Sequence, residues 1–278
     1  MAVPARTGKI LSMAPFPNLI SDSLLVKETI ELLRESGGRA SAVTIVDRVM
    51  NISSPAPALA TLLASDLVDT DPRLRLEDDF VELVEEDRSG LRLSDVEFVV
   101  FDLETTGAKA PPCRVTEIGA YKVAGSKIVD EYHSLVNPGV PIPEFITGLT
   151  GISDEMVRDA PRFSELAGDV LDFIGESVLV AHNAPFDMRF LNHEISLVHG
   201  KYRVANPYLC TVRLSRKLIT GIENHKLNTV ANFYSIDLTN HHRASDDARA
   251  TAFIFIKLLE LLKEKGVDDL ASAAACKF

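Results

Sequence analysis

Val96-Glu97-Phe98-Val99-Val100-Phe101-Asp102-Leu103-Glu104-Thr105-Thr106-Gly107 starts as an apolar run suited to a strand buried on both faces. It then takes in two acids and ends in a polar turn. Alternate side chains of an extended chain share a face, so Asp102 and Glu104 project together. Two like charges at that spacing are costly to bury unless a cation neutralises them. A strand running into a turn accounts for Thr105-Thr106-Gly107, but not for acids inside an apolar run. Ionisable groups in such a place point to a paired or metal-binding role. The stretch predicts a central strand over Val96 to Leu103 with chemistry at its end.

Downstream, Val115 to Val123 and Ile128 to Leu135 read as strands around Ala124-Gly125-Ser126, an antiparallel meander. A crossover with Pro138, Pro141 and Pro143 leads to a helix over Phe163 to Ile174, a strand over Val178 to Ala181, and helices over Pro185 to His199, Val212 to Leu218, Leu227 to Phe233 and Ser245 to Lys263. Strands first, then strands alternating with helices, define an α/β class with a mixed sheet covered by helices. Upstream, helical periodicity covers Leu24 to Glu35, stopped by Gly37-Gly38, then Ala42 to Met50 and Pro57 to Ala64. Leu67 to Asp71 and Arg73 to Leu76 alternate around Asp71-Pro72 and predict a hairpin. This order resembles a small winged-helix-like α+β domain, a shape that reads DNA or docks proteins. Its candidate recognition helix, Pro55 to Ser65, has no Lys or Arg. Phosphate binding needs cations, so protein contact is the favoured reading. The acidic Glu77 to Asp87 and the polar Arg88-Ser89-Gly90 place a boundary near Ser89 to Ser94. Residues 1–22 and the Ala-rich 266–278 read as a loose arm and a tail.

The 278 residues carry 29 Lys and Arg against 40 Asp and Glu, a formal charge of -11, so the global field repels polyanions. Residues 1–92 hold 15 acids against 10 bases and the remainder 25 against 19, so both parts are acidic. A broad phosphate-gripping surface is therefore excluded. Cys113, Cys210 and Cys276 form no CxxC pair, and no signal peptide or apolar run of about 18 residues is present. A soluble, cytoplasmic chain with no membrane contact is expected.

Two further acids fit the first pair. Asp187 follows the short strand directly, in His182-Asn183-Ala184-Pro185-Phe186-Asp187. Pro185 suits a first helical turn and Asp187 suits the dipole there. Asp187 also heads the stripe Leu191, Ile195, Val198, which turns it inward. In His241-His242-Arg243-Ala244-Ser245-Asp246-Asp247 both histidines stand five residues before an acid. Helical phase separates the acids: Asp247 continues through Thr251, Ile254 and Leu258, whereas Asp246 runs through Ala250 and Phe253 to the charged Lys257 and Glu260. Asp247 should point inward and Asp246 toward water, and His242 joins Asp247 only from the loop before the helix. Glu117, in Thr116-Glu117-Ile118-Gly119, is either a further functional acid or a structural hydrogen-bond partner. No P-loop, GxGxxG fingerprint, Gly-x-Ser-x-Gly elbow or complete zinc-protease helix occurs, which removes support for ATP-driven chemistry, hydride transfer and serine hydrolysis.

The three segments around Asp102-Leu103-Glu104, His182 to Asp187 and His242 to Ala248 resemble the three motifs of DEDDh 3'-5' exonucleases, most closely the proofreading domains of bacterial replicative DNA polymerases, the epsilon subunit among them. Leu149-Thr150-Gly151-Ile152 and Leu227-Asn228-Thr229 add to a resemblance that runs from about Glu97 to Lys263. The winged-helix-like domain, read from its own element order, spans 23–90, and the resemblance implies an RNase H-like exonuclease domain over 91–265. It further implies that Asp102, Glu104, Asp187 and Asp247 hold two Mg2+ or Mn2+ ions, with Asp102 shared between them, and that His242 is the general base. Substrate contacts would fall at Thr105, Thr106, Leu149, Thr150, Ile152, Asn183 and Phe186. The implied partners are a nucleic-acid 3' end, single-stranded or frayed DNA, and a DNA polymerase or repair protein docked through the first domain. RNA 3'-end trimming, or an adaptor with secondary nuclease activity, are the alternatives. Cys210-Thr211 departs from the family, where relatives often carry Asp-Thr.

Overall fold

The computed structural model describes residues 14–84, 90–238 and 241–276. The chain forms two compact units, residues 1–86 with 201–205, and residues 87–200 with 206–278.

In the first unit, β1 (Leu19–Ser21) precedes α1 (Leu24–Glu35), β2 (Arg39–Ser41), α2 (Ala42–Arg48), α3 (Pro57–Val68), β3 (Leu74–Glu77) and β4 (Phe80–Leu83). The three helices close on a sheet of order β2-β4-β3 around Val26, Ile30, Leu33, Ile45, Val46 and Val81. The hairpin lies later than its expected place. Leu67 and Val68 end α3, and the turn falls at Asp78-Asp79, where Asp78 adopts a φ of 53°. Asp tolerates the left-handed region better than most residues, and of the acids that read as a linker Glu82 receives Arg75 and Arg39 within the sheet, while Glu85, Glu86 and Asp87 lie outside the described residues. The expected arm over 1–22 also ends early. Leu19–Ser21 pairs antiparallel with Tyr202–Val204 and is buried, because its partner strand comes from a stretch about 180 residues later in the chain. The hinge residues Arg88 and Ser89 lie outside the described residues.

In the second unit, β5 (Phe98–Thr105), β6 (Val115–Ala124) and β7 (Lys127–Leu135) form the antiparallel meander, and α4 (Glu144–Thr150) and α5 (Asp154–Val157) occupy the crossover. Then come α6 (Phe163–Ile174), β8 (Val178–Ala181) and α7 (Ala184–His199), after which β9 (Tyr202–Val204) belongs to the first unit. The chain returns through β10 (Tyr208–Cys210), α8 (Thr211–Leu218), α9 (Leu227–Phe233), α10 (Ala244–Glu264) and α11 (Leu270–Ala275). The sheet order is β10-β8-β5-β6-β7, with β8 parallel to both neighbours. The residues read as a tail are structured: α11 buries Leu270 and Ala273 in the main core. Residues 277–278 lie outside the described residues.

Period-2 alternation sorts β5 between two layers. Phe98 and Val100 join Tyr121, Val123, Ile254, Phe255 and Leu258 under α10, with the Phe98 and Phe255 rings 4.9 Å apart. Val99 and Phe101 face the other way, toward Val170, Ile174 and Leu191 of α6 and α7. Asp102 and Glu104 continue the parity of Phe98 and Val100, so they lie on the face crossed by α10.

Candidate active site

Three features bring the acids together at one end of β5. First, β8 pairs with β5 only as far as Val100 and ends at Ala181. Beyond that point the β5 edge is open and the first turn of α7 covers it. Asp187, 2% exposed there, accepts a hydrogen bond from the backbone of Leu103. Asn183, with a φ of 76°, makes the sharp entry into α7, a conformation that Asn tolerates. Second, α10 crosses β5 and β6 and begins directly against Gly119, the cross-strand neighbour of Asp102. A Cβ on Gly119 would stand 2.5 Å from the Ala244 carbonyl carbon and oxygen and from the Ser245 Cα, so only glycine admits the helix at that height. Third, a bulge after Glu104 shifts the β5-β6 register and turns the chain away.

Asp102, Glu104 and Asp247 thereby lie with carboxylate oxygens within 4.8 Å of one another. Asp247 is buried and Asp246 only half-buried, the order that helical phase predicts. Burial, then the neighbouring Asp187, Glu104 and Asp247, push the Asp102 carboxyl well above the usual range. Burial, Asp247 and Glu117 push Glu104 up to about 8, against a partly offsetting Arg243. Asp187 is raised as well, by burial and by Glu104, against backbone hydrogen bonds that pull it down. The cluster is electrostatically incomplete in the way a cation would complete.

The loop before α10 contributes two histidines. His242 has a φ of 70° and gives its backbone N–H to Asp247 Oδ2 at 3.1 Å. His241 Nδ1 lies 3.0 and 3.1 Å from the two Asp247 oxygens, and its ring stacks on that of His242 at 3.9 Å. Both histidines therefore reach this acid, one by its ring and the other by its main chain. Partial burial and His241, opposed by Asp247, hold the His242 ring below its ordinary range. His182 serves another purpose. Its ring bridges Thr211 Oγ1 at 2.9 Å and the His225 carbonyl at 3.1 Å, and burial lowers its pKa to about 4, so it is a neutral brace from the turn after β8 to the start of α8 and the loop before α9.

The expected substrate contacts divide. Leu149 is exposed and Phe186 half-buried, its ring tilted against that of Phe190 with centroids 4.9 Å apart. Thr150 and Ile152 are buried, and Thr150 Oγ1 closes the turn by binding the Ile146 carbonyl and the Ile152 N–H. The Thr106 N–H is taken by the Arg114 carbonyl, and Thr105 Oγ1 by that of Gly107. These groups shape the rim and have their own partners.

Sequence reading alone passed over Glu194, which lies seven residues beyond Asp187 on α7. It is 1% exposed and accepts from Arg114 Nε at 2.8 Å, from a second Arg114 guanidinium nitrogen at 2.7 Å and from the Val115 N–H at 3.1 Å, tying α7 to the start of β6. The available signal was an acid two turns from Asp187 on the same helix. Gly119 was likewise legible only as a glycine inside a strand pattern, a mark of close backbone approach.

The family model RNase_T, described as Exonuclease, matches residues 99–255 and so spans every acid of the cluster. The chain belongs to this exonuclease family. Among curated relatives it is 47% identical over 175 residues to the PolC-type DNA polymerase III of Caldanaerobacter subterraneus subsp. tengcongensis and 41% identical over 175 residues to that of Bacillus subtilis, in each case 63% of this chain. It spans only 12% of the length of either polymerase. Among solved structures, exonuclease X in complex with 5' overhanging duplex DNA is 27% identical, with a TM-score of 0.51 over 64% of this chain and 98% of that one. E. coli exonuclease I in complex with a dT13 oligonucleotide, at 15% identity and a TM-score of 0.52 over 62% and 42% of the two chains, shares the fold. The mixed five-stranded sheet flanked by helices is the RNase H-like fold of these exonucleases. Among the described residues no helix is long and apolar enough to cross a membrane.

Proposed function

We propose that the chain is a metal-dependent 3'-5' exonuclease that releases nucleotides from DNA 3' ends in proofreading or repair. The observation that carries this reading is the convergence of Asp102, Glu104, Asp187 and Asp247 from β5, α7 and α10 into one mutually repelling set. Hard carboxylate oxygens without cysteine fit Mg2+ or Mn2+ and not a closed zinc site. Asp102, Glu104 and Asp247 would hold one ion, and Asp102 with Asp187 a second. When bound, the ions lower the pKa of the attacking water and offset the charge that develops on the leaving 3'-oxygen.

The side chains then have distinct tasks. His242, held below its ordinary range, is neutral near pH 7 and accepts the proton of the attacking water. Water oxygen bonds to the terminal phosphorus, the bond from phosphorus to the 3'-oxygen of the preceding nucleotide breaks, and that oxygen leaves with a proton as a new 3'-hydroxyl. The left-handed turn at His242 lets its N–H hold Asp247 while the ring remains beside the cluster. The exposed Leu149 and the half-buried Phe186 offer apolar surface to a terminal base.

DNA is favoured over RNA by the polymerase relatives and by exonuclease X with its DNA complex. The same relatives support a cytoplasmic replication setting. The first unit would supply a polymerase or repair-protein contact, because α3 contains no Lys or Arg and exposes Leu59 and Leu62. The test places 3'-labelled single-stranded DNA, mismatched duplex and RNA side by side with Mg2+ or Mn2+, comparing wild type with Asp102→Ala. Stepwise DNA loss that EDTA and the substitution abolish is expected. Preferential RNA degradation would move the substrate class, and inactivity on all three would overturn the reading.

A further inference from the structure

Glu117 is the cross-strand partner of Glu104, yet it is fully buried and bound on every side. It accepts from His133 Nε2 on β7 at 2.7 Å, from Arg243 Nε at 3.1 and 3.2 Å, from a terminal Arg243 nitrogen at 2.7 Å and from the Ala244 backbone N–H at 2.9 Å. Burial pushes its carboxyl up, but the bonds from Arg243, His133 and Ala244 outweigh this and keep it ionised below the usual glutamate range. Glu104, its direct neighbour on the adjacent strand, has no such set of donors among the described residues. Ala244 opens α10, and Arg243 follows His242 directly. Every bond that Glu117 makes to this segment lies within four residues of Asp247. Gly119, two residues on, lets the same turn rest on the sheet backbone.

We propose that Glu117 is a positioning residue for the carboxylate cluster: through Arg243 and the Ala244 N–H it seats the first turn of α10, and with it Asp247 and the His242 loop, opposite Asp102 and Glu104. The inference rests on the exonuclease reading for its kinetic consequence and on metal binding alone for its structural one. Arg243 carries the bidentate geometry that a fixed orientation requires, and His133 holds the carboxylate from the far side. A hydrogen bond to a main-chain N–H and a planar fork together remove the freedom of the turn to slide or rotate.

The experiment uses the full chain with Glu117→Ala, Glu117→Gln, Arg243→Gln and Arg243→Lys, each checked for folding by circular dichroism. Mn2+ binding without nucleic acid is measured by calorimetry, and kcat and KM on 3'-labelled single-stranded DNA separately. Displacing the turn is expected to lower kcat by roughly 100-fold in Glu117→Ala, with KM little changed. Mn2+ affinity is expected to fall by about tenfold in both Glu117→Gln and Arg243→Gln, and to recover in part in Arg243→Lys. The two glutamine variants separate positioning from simple electrostatics. They remove opposite charges, so a purely electrostatic role would weaken Mn2+ binding in the first and tighten it in the second. That opposite-sign result would overturn the proposal, as would a folded Glu117→Gln with wild-type Mn2+ affinity and kcat. A wild type that binds Mn2+ but degrades no nucleic acid would overturn the exonuclease reading alone, because the metal affinities of the variants still decide the role of Glu117.

Discussion

Removing one charge from the cluster should stabilise the metal-free protein, and Glu104→Gln is the substitution that tests it. Burial, Asp247 and Glu117 raise the Glu104 carboxyl from 4.5 to about 8, so the folded chain binds a proton that the unfolded chain releases between those values. Stability then falls as pH rises through that window, since the folded state holds more protons. Relative to a neutral side chain, that shift corresponds to a cost of about 1 kcal/mol at pH 5, about 3 at pH 7 and about 5 at pH 9. Glu104 is half-buried, and solvent screening halves these figures, to about 1–2 kcal/mol at neutral pH. At roughly 2–4 °C per kcal/mol for a chain of this size, Glu104→Gln should melt several degrees above wild type in EDTA at pH 7. The gap should widen toward pH 9 and nearly close at pH 5. Added Mg2+ should reverse the order, because only the wild type gains a full set of ligands. Scanning calorimetry of both proteins at the three pH values, with EDTA and with Mg2+, gives the comparison. A variant no more stable than wild type in EDTA, or a gap that does not grow with pH, refutes the account of the cluster as mutually repelling acids.

Three further outcomes follow from the geometry. Asp247→Ala should lose essentially all nuclease activity on 3'-labelled DNA while Asp246→Ala keeps it within a few-fold, and the reverse result would refute the helical-phase assignment. Gly119→Ala should destabilise by about 1–3 kcal/mol in urea titration and lower kcat as well, because its Cβ would meet the backbone of Ala244 and Ser245 at 2.5 Å; full activity at wild-type stability would show that α10 shifts without consequence. Arg114→Ala should cost about 3 kcal/mol by leaving the buried Glu194 carboxyl without its guanidinium partner, and adding Glu194→Met should recover part of it; no recovery would mean that the loss does not come from this pair.

The elements of the exonuclease unit were legible wherever burial was periodic. The strand Val178–Ala181 and the helices Phe163–Ile174 and Leu227–Phe233 have the bounds their apolar patterns give. In the first unit the pattern misled, because Leu67 and Val68 suit either a strand or the end of a helix, and Asp78-Asp79 turns without glycine or proline. Short elements such as α4, α5 and β10 escaped because a few residues carry too little periodicity to register.

Asp102, Glu104, Asp187 and Asp247 could be chosen from the chain itself, since an acid among apolar residues, or heading an inward stripe, is a local anomaly. Their partners could not. Glu117 with Arg243, Glu194 with Arg114, and β1 with β9 are separated by 126, 80 and about 180 residues along the chain. A salt bridge or strand pair of that span leaves no periodic trace, because neither partner's neighbours depend on the other. Which acids stand out is a property of local composition; which of them are held charged by an arginine and which are left repelling one another is decided by tertiary packing, where the distance to the nearest cation outweighs everything in the local pattern.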